Sequence, residues 1–387
     1  MRPYESCWVQ VWRVPLAAAG FRAWMDRRRP LLRGSAGGAP SRGCVWTRWD
    51  GQRRRSDAVR PSHAGQEASV SQHPQPPGFR PGDEPTRAAW IQLLQRHRLA
   101  AGRTLGQHFM WHAPTVARLA AAADLGPGVP VLEVGPGVGV LTRALRATGA
   151  HVTAVELDRR LRPALWEVLG AGPVPPPPSA SDESERWADD LRLIWADAVR
   201  LSWRDLAATA QGPWRLCSNL PYYITGPFLA AFLEGGLPWV TATLVVQAES
   251  AQRMLAGPGS KAYGAFTCMV DYYAAVERLF TVPRAAFLPP PQVESVAIRL
   301  RRRCVPPCAA DPSDLRRVVR AAFGQRRKTL RNALAAGLGL ERAGAADLLA
   351  AAGLDGGRRA ETLDLSEFGR LAVAWADRGQ TECPLGM

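Results

Sequence analysis

The chain has 387 residues, 47% of them hydrophobic, which suffices for one large domain with a real core and a smaller one beside it. Its net charge of +15 favours an acidic partner, and of its 49 Lys and Arg residues only Lys261 and Lys328 are lysines, the arginine bias of GC-rich coding. No run approaches the roughly 18 apolar residues of a membrane span, and the seven cysteines show neither a disulfide framework nor Cys-x-x-Cys pairs, so a reduced, cytoplasmic chain without a membrane anchor is expected.

Residues 1–85 contribute about +7 of that charge through arginine clusters (Arg27 to Arg29, Arg53 to Arg55), and end in a run rich in Gly, Pro, Ser and Gln. Without sustained periodicity the segment reads as a disordered basic extension. A basic RNA-binding arm or a targeting peptide is the functional alternative; the composition favours an extension without a role of its own.

Regular structure is expected from Thr86, which can cap a helix running to His97, followed by a second helix over Pro114 to Ala123. Pro130-Val-Leu-Glu-Val134 then enters Gly135-Pro-Gly-Val-Gly139 and an apolar-periodic stretch from Val140 to Thr148, the pattern of strand, tight turn and helix. Further strands are expected at 151–156, 192–196, 214–218 and 242–247. Strands alternating with helices imply a doubly wound, mostly parallel α/β sheet. The proline-rich and acidic run from Gly170 to Ser184 belongs to no element and reads as a surface insertion. From Asp311 onward the pattern is helical, alanine- and leucine-rich, which defines a small all-helical end.

In an open α/β sheet ligands bind beyond the carboxyl ends of the strands, where a glycine turn lets backbone approach them. Gly135, Gly137 and Gly139 supply such a turn, Glu156 follows at the end of the next strand where a carboxylate can accept from ribose hydroxyls, and Asp197 follows the third, where it can accept from an adenine amino group. Gly-x-Gly-x-Gly departs from the Gly-x-Gly-x-x-Gly of dinucleotide oxidoreductases, which weakens that alternative. His108 and His112 lack the glutamate of a zinc-protease motif, and Cys304 and Cys308 have no second pair, so no metal is expected.

The discriminating sequence is Asn219-Leu-Pro-Tyr222. A purine amino nitrogen is a poor nucleophile while its lone pair is delocalised into the ring. The Asn219 side-chain oxygen and the Leu220 carbonyl can each accept one amino hydrogen and localise that pair. Pro221 fixes the turn, and Tyr222 can stack on the base, worth on the order of 1–3 kcal/mol. An ordinary proline turn is the alternative, and the preceding glycine turn and two acids disfavour it. In the helical end, Arg316, Arg317, Arg320, Arg326, Arg327, Lys328 and Arg331 are opposed nearby only by Asp314, and 316, 320, 327 and 331 share a face if the helix continues through Gly324. RNA phosphates are the partner this implies, with Arg326, Arg327, Lys328 and Arg331 as the contacts.

Six blocks carry a resemblance: 105–110 (LGQHFM), 133–142 (EVGPGVGVLT), 219–224 (NLPYYI), 259–264 (GSKAYG), 286–295 (AFLPPPQVES) and 323–332 (FGQRRKTLRN). The chain resembles the ribosomal RNA adenine dimethylase family, whose bacterial members methylate adenines near the end of small-subunit ribosomal RNA. The resemblance implies a Rossmann-like class I methyltransferase domain over residues 86–303, a helical RNA-binding domain over 304–387, and S-adenosylmethionine as the methyl donor. It further implies a cofactor site of His108, Met110, Gly135, Glu156, Asp197 and Asn219, with His108 where the family often has asparagine and Met110 where it usually has leucine. Phe287, on the same basis, would cover the adenine face opposite Tyr222; a core aromatic in a proline-rich loop is the alternative. The expected activity is dimethylation of the N6 groups of two adjacent adenines in a 3'-terminal hairpin loop, by a monomer acting on a pre-30S particle. The alternatives are a large-subunit (23S) adenine methylase conferring macrolide resistance and a non-catalytic RNA-binding assembly factor.

Overall fold

A computed structural model describes residues 86–99, 108–170, 184–210 and 212–381. The extension 1–85, the Leu105–Gln107 part of the first block and positions 171–183 lie outside them. In chain order the elements are α1 (Arg87–Arg96), β1 (Phe109–Met110), α2 (Ala113–Ala122), β2 (Pro130–Val134), α3 (Val140–Arg146), β3 (His151–Glu156), α4 (Arg162–Leu169), β4 (Ser184–Ala188) and β5 (Leu191–Trp195). There follow α5 (Trp203–Ala207), β6 (Trp214–Asn219), α6 (Thr225–Glu234), β7 (Trp239–Gln247), α7 (Ala248–Met254), α8 (Ala265–Tyr273), β8 (Ala274–Val282), β9 (Phe287–Leu288) and β10 (Ser295–Arg302). Four α-helices follow among the described residues: α9 (Pro312–Phe323), α10 (Leu330–Leu338), α11 (Arg342–Ala351) and α12 (Leu365–Thr381).

Thr86 caps α1 by accepting from the Ala89 N–H, as its sequence position suggests. The main sheet runs β4-β5-β3-β2-β6-β7-β10-β8. Its five central strands, β5, β3, β2, β6 and β7, are parallel. Alternate residues of these strands enter opposite cores: Val131, Val152, Ala154, Cys217 and Val245 pack with α1 to α4 on one face. Leu132, Val134, Val155, Leu216, Leu244 and Val246 pack with α5 to α8 on the other. Burial on both faces is what a strand must satisfy when its connections cross over as helices.

Besides the separate β1–β9 pair, three strands of the main sheet escape the sequence reading. β4 pairs antiparallel with β5 at one edge, while β10 and β8 add antiparallel to β7 at the other. Ser184 therefore opens a strand instead of closing the insertion, and its neighbour Glu185 accepts from Arg162, Trp187 Nε1 and Trp195 Nε1. In β8 and β10 charge hides the pattern, since Glu277 pairs across the sheet with Arg299 (3.2 Å) and Arg301 (3.4 Å).

The helices α9 to α12 bury Leu315, Val318, Leu334, Leu348 and Phe368 in a third core, which also takes Tyr263, Cys268 and Tyr272 from the segment around α8. Arg316 of α9 is largely buried against Glu234 of α6, Nη1 to Oε2 2.8 Å. The helix ends at Phe323 with Gly324 as its cap, and the next begins only at Leu330. The proposed basic face across Gly324 is thus divided. Glu234 opposes Arg316 from a distant element, Arg317 lies over the Trp375 ring, and only the part beyond the break faces solvent as a group.

Candidate active site

The spatial order β5-β3-β2-β6 sets the site. Chain order reverses between β2 and β6, the switch point at which a doubly wound sheet opens a crevice. The carboxyl ends of these strands carry, in space, Asp197, Glu156, the glycine turn and Asn219. A cleft opens there, and its walls include His108, Met110, Gly135, Gly137, Glu156, Asn219, Leu220, Pro221 and Tyr222.

Gly135 and Gly137 both have positive φ, +67° and +59°. A Cβ at Gly135 would stand 3.2 Å from Pro221 Cγ, and one at Gly137 3.0 Å from Phe109 Cδ1. The turn after β2 therefore abuts the proline turn after β6 on one side and the β1 segment on the other, with no room for side chains.

Glu156 ends β3, 7% exposed. Its Oε1 accepts from the N–H groups of Leu157 and Asp158, both at 2.9 Å, and its Oε2 takes only a long bond from Gly137 N, 3.4 Å. Burial outweighs these bonds and pushes the carboxyl up to about 7. One oxygen is anchored and the other faces the cleft with capacity to accept. Glu133, 1% exposed in β2, is pushed by burial up to about 8, and its Oε2 has no hydrogen-bond partner.

At the end of β6 the Asn219 amide donates through Nδ2 to the His108 carbonyl, 3.4 Å, which turns Oδ1 away from that partner. That oxygen is buried without any hydrogen-bond partner. An orphaned acceptor inside a cleft is costly in a folded chain, and a ligand N–H would remove the cost. Tyr222 is half-buried, its hydroxyl 2.6 Å from Ser295 Oγ. This bond ties the ring to β10 and fixes its face. Pro221, with φ −54°, sits between the two acceptors and the ring.

Two residues expected in the site stand outside the cleft wall. Phe287 does not reach the cleft: it is fully buried in the core, paired through β9 with Met110 of β1. The ring beside Tyr222 is instead His108, centroids 5.8 Å apart at 32°. Because a carbonyl can only accept, the His108 Nδ1 at 2.8 Å from the Pro289 oxygen carries the proton and donates. Asp197 lies at the same edge of the sheet but outside the cleft wall. Its carboxylate accepts from Val199 N (2.9 Å), lies 3.6 Å from Arg200 and is 41% exposed.

The sequence reading also missed cleft residues. Glu133 reads in the sequence as an ordinary strand residue, yet it lines the cleft. Leu157 and Tyr223, 55% and 49% exposed, line the mouth, and Asp158 stands beside them, forming a double hydrogen bond with Arg160. A large exposed apolar side chain next to a strand-end acid was the available signal. Of the basic residues beyond Gly324, Arg326 turns its guanidinium to the carbonyls of Lys261 (3.0 Å) and Tyr263 (3.1 Å), while Arg327, Lys328 and Arg331 are exposed.

A mostly parallel sheet with a glycine turn, a ribose-type carboxylate and an amide acceptor at one switch point defines a class I methyltransferase. A model of the family "Ribosomal RNA adenine dimethylase" matches residues 99–370. The "Ribosomal RNA small subunit methyltransferase A" of Pelotomaculum thermopropionicum is 40% identical over 291 residues, 74% of this chain and 96% of that protein. The protein of that name from Desulfitobacterium hafniense is 42% identical over 281 residues, 73% of this chain and 94% of its own. Among solved structures, a dimethyladenosine transferase from Plasmodium falciparum superposes with a TM-score of 0.55 at 21% identity, covering 70% of this chain and 98% of that one, and supports the fold. The chain belongs to the ribosomal RNA adenine dimethylase family, enzymes whose methyl donor is S-adenosylmethionine. The residues present fit that donor: a glycine cradle that a Cβ would fill, a buried carboxylate with one oxygen held only by a long bond, and an orphaned amide oxygen beyond it.

Proposed function

We propose that the protein dimethylates the N6 amino groups of two adjacent adenines in the 3'-terminal hairpin loop of small-subunit (16S) ribosomal RNA. It acts as a cytoplasmic monomer on a pre-30S particle. The two small-subunit relatives, each covered over more than nine-tenths of its length, support that substrate. No helix among the described residues is long and apolar enough to cross a membrane. Residues 86–303 form the methyltransferase domain and 304–387 a helical domain that grips RNA.

The observation that carries the reading is the buried, partnerless Asn219 Oδ1 beside the fixed face of Tyr222. Gly135, Gly137, Met110, His108 and Glu156 would hold the donor, with Asp197 at the rim; when bound it supplies a methyl on a sulfonium, an electrophilic carbon. Asn219 Oδ1 and the Leu220 carbonyl accept the two amino hydrogens of a flipped-out adenine, so the nitrogen pyramidalises and its lone pair turns toward the glycine turn. The Tyr222 ring packs on the base, and its hydroxyl, held by Ser295, stops the ring swinging away. Rate comes from positioning. The methylated nitrogen is acidic and sheds its proton to water, so the second transfer starts from a secondary amine that keeps one hydrogen for one acceptor.

Mapping of dimethyladenosine on both ribosomal subunits, after incubating each with the protein and labelled donor, tests this. Two adjacent dimethyladenosines near the 3' end of the small-subunit RNA are expected. Label confined to large-subunit RNA identifies a resistance-type methylase, and binding without label identifies an assembly factor without turnover.

A further inference from the structure

Only two lysines stand among the 49 Lys and Arg residues of the chain, and the fold brings their loops together. Lys261 lies in the loop between α7 and α8, Lys328 in the loop between α9 and α10. The joint is Arg326. Its Nη2 donates to the carbonyls of Lys261 (3.0 Å) and Tyr263 (3.1 Å), and the same nitrogen stands 3.9 Å from the Glu361 carboxylate. The Gly259 N–H donates to the Glu361 carbonyl at 2.6 Å, and the buried Tyr263 ring meets Phe323 edge-on at 5.9 Å. The 257–263 loop is thereby fastened to the helical end at both its base and its tip.

This fastening decides which groups point outward. Lys261, Arg327, Lys328 and Arg331 are all exposed, and Arg359 adds a further exposed charge. Of the nearby acids, Glu361 stands beside Arg326, and the exposed Asp355 accepts from the Gly357 N–H at 2.8 Å. The start of α10 offers no free backbone donors at its first two positions, because the N–H groups of Leu330 and Arg331 donate to the carbonyls of Arg358 (2.7 Å) and Gly356 (3.2 Å). An anion arriving here meets side chains. Lysine presents a compact ammonium that can follow one phosphate, where arginine presents a planar fork. In a chain that otherwise uses arginine throughout, the two ammonium groups sit on adjoining loops.

We infer that Lys261 is an RNA phosphate contact on a second loop, and that Arg326 is the positioning residue that presents this loop beside Arg327, Lys328 and Arg331. The surface spans two loops far apart in sequence, and Arg326 acts through backbone carbonyls. This inference rests on the RNA-methylating reading above.

The test uses the full chain and unmethylated small ribosomal subunits, with affinity measured across a potassium chloride series. Each lost phosphate contact lowers the slope of log affinity against log salt by about one. Lys261→Ala is expected to lower it by that amount and to raise KM for subunits several-fold while kcat and S-adenosylmethionine affinity hold. Lys261→Glu deepens the loss. Arg326→Ala should lower the slope at least as much, and in that background Lys261→Ala should add nothing, whereas Arg327→Ala adds its full effect. A wild-type slope and affinity in both Lys261 variants overturns the contact. Additive Lys261 and Arg326 losses overturn the positioning role. Wild-type protein that transfers no methyl to the subunits overturns the substrate reading instead, and is scored separately by label incorporation.

Discussion

The cleft and the basic loops hold their polar groups in opposite ways. In the cleft the working groups are held by backbone: two glycines at positive φ, a carboxylate anchored by successive N–H groups, an amide fixed between a strand end and the His108 carbonyl. At the loops they are held by long side chains on segments tied by Arg326, a backbone bond and a ring contact. The first arrangement fixes atoms to within a hydrogen-bond length and leaves polar atoms buried and unsatisfied, which ligand must satisfy. The second leaves charge in water, where it adapts to a polymer and responds to salt. On the proposed reading, chemistry is rigid and substrate grip is compliant within one chain.

Substitutions can break this contrast, and the largest effect is expected at Asn219. Asn219→Ala removes the orphaned acceptor, so single-turnover methyl transfer should fall about 100-fold or more, with S-adenosylmethionine affinity changed only modestly in calorimetry. Normal transfer by that variant would mean that the amine is gripped elsewhere. Arg316→Ala probes the opposite region. It strands Glu234, whose carboxyl burial already raises, so denaturant unfolding should show a loss of about 3 kcal/mol. The salt slope for subunit binding should stay at the wild-type value, which separates this buried arginine from those beyond Gly324.

Next in size is Gly137→Ala. The new methyl meets Phe109 at a positive φ, and strain of about 1–2 kcal/mol should weaken S-adenosylmethionine roughly tenfold, read by calorimetry, with RNA affinity untouched. The smallest effect is in pH. The Glu156 carboxyl stands at about 7 in the fold and at about 4.3 in an unfolded chain. Ribose hydroxyls favour its ionised form, so S-adenosylmethionine affinity should rise several-fold from pH 6 to pH 8, with a proton released at the lower pH. Glu156→Gln should flatten that dependence. The sign for folding is the reverse: in the ligand-free protein the raised Glu156 and Glu133 groups contribute stability that is complete below about pH 4.3 and is lost as pH climbs through about 7 and about 8.

The parallel centre of the sheet was legible because each strand there is short, apolar and followed by a helix-period segment, and because Gly135, Glu156 and Asn219 fall at strand ends in a fixed order. The antiparallel edges were not. In β8 and β10 the apolar alternation is broken by Glu277, Arg299 and Arg301, whose pairing across strands is a long-range fact. Glu185 reads as part of an acidic run until Arg162 and two indoles converge on it. Within the site, motif position assigned Phe287 to the substrate ring, but its β-bridge to Met110 turns the residue into core. The sequence leaves open whether a helix continues through Gly324, and only the next helix start at Leu330 decides it.

The short β1–β9 ribbon has a mechanical consequence. Phe109 and Met110 pair with Leu288 and Phe287, Trp111 donates from its backbone N–H to the Ala286 carbonyl and from its indole to Ala285, and His108 donates to Pro289. One stitched flap therefore borders both the donor's chamber and the slot beside Tyr222. On the proposed reading, a nucleobase that shifts this flap also reshapes the donor's wall, so the two ligands share a single coupling free energy and each alters the other's binding by the same factor.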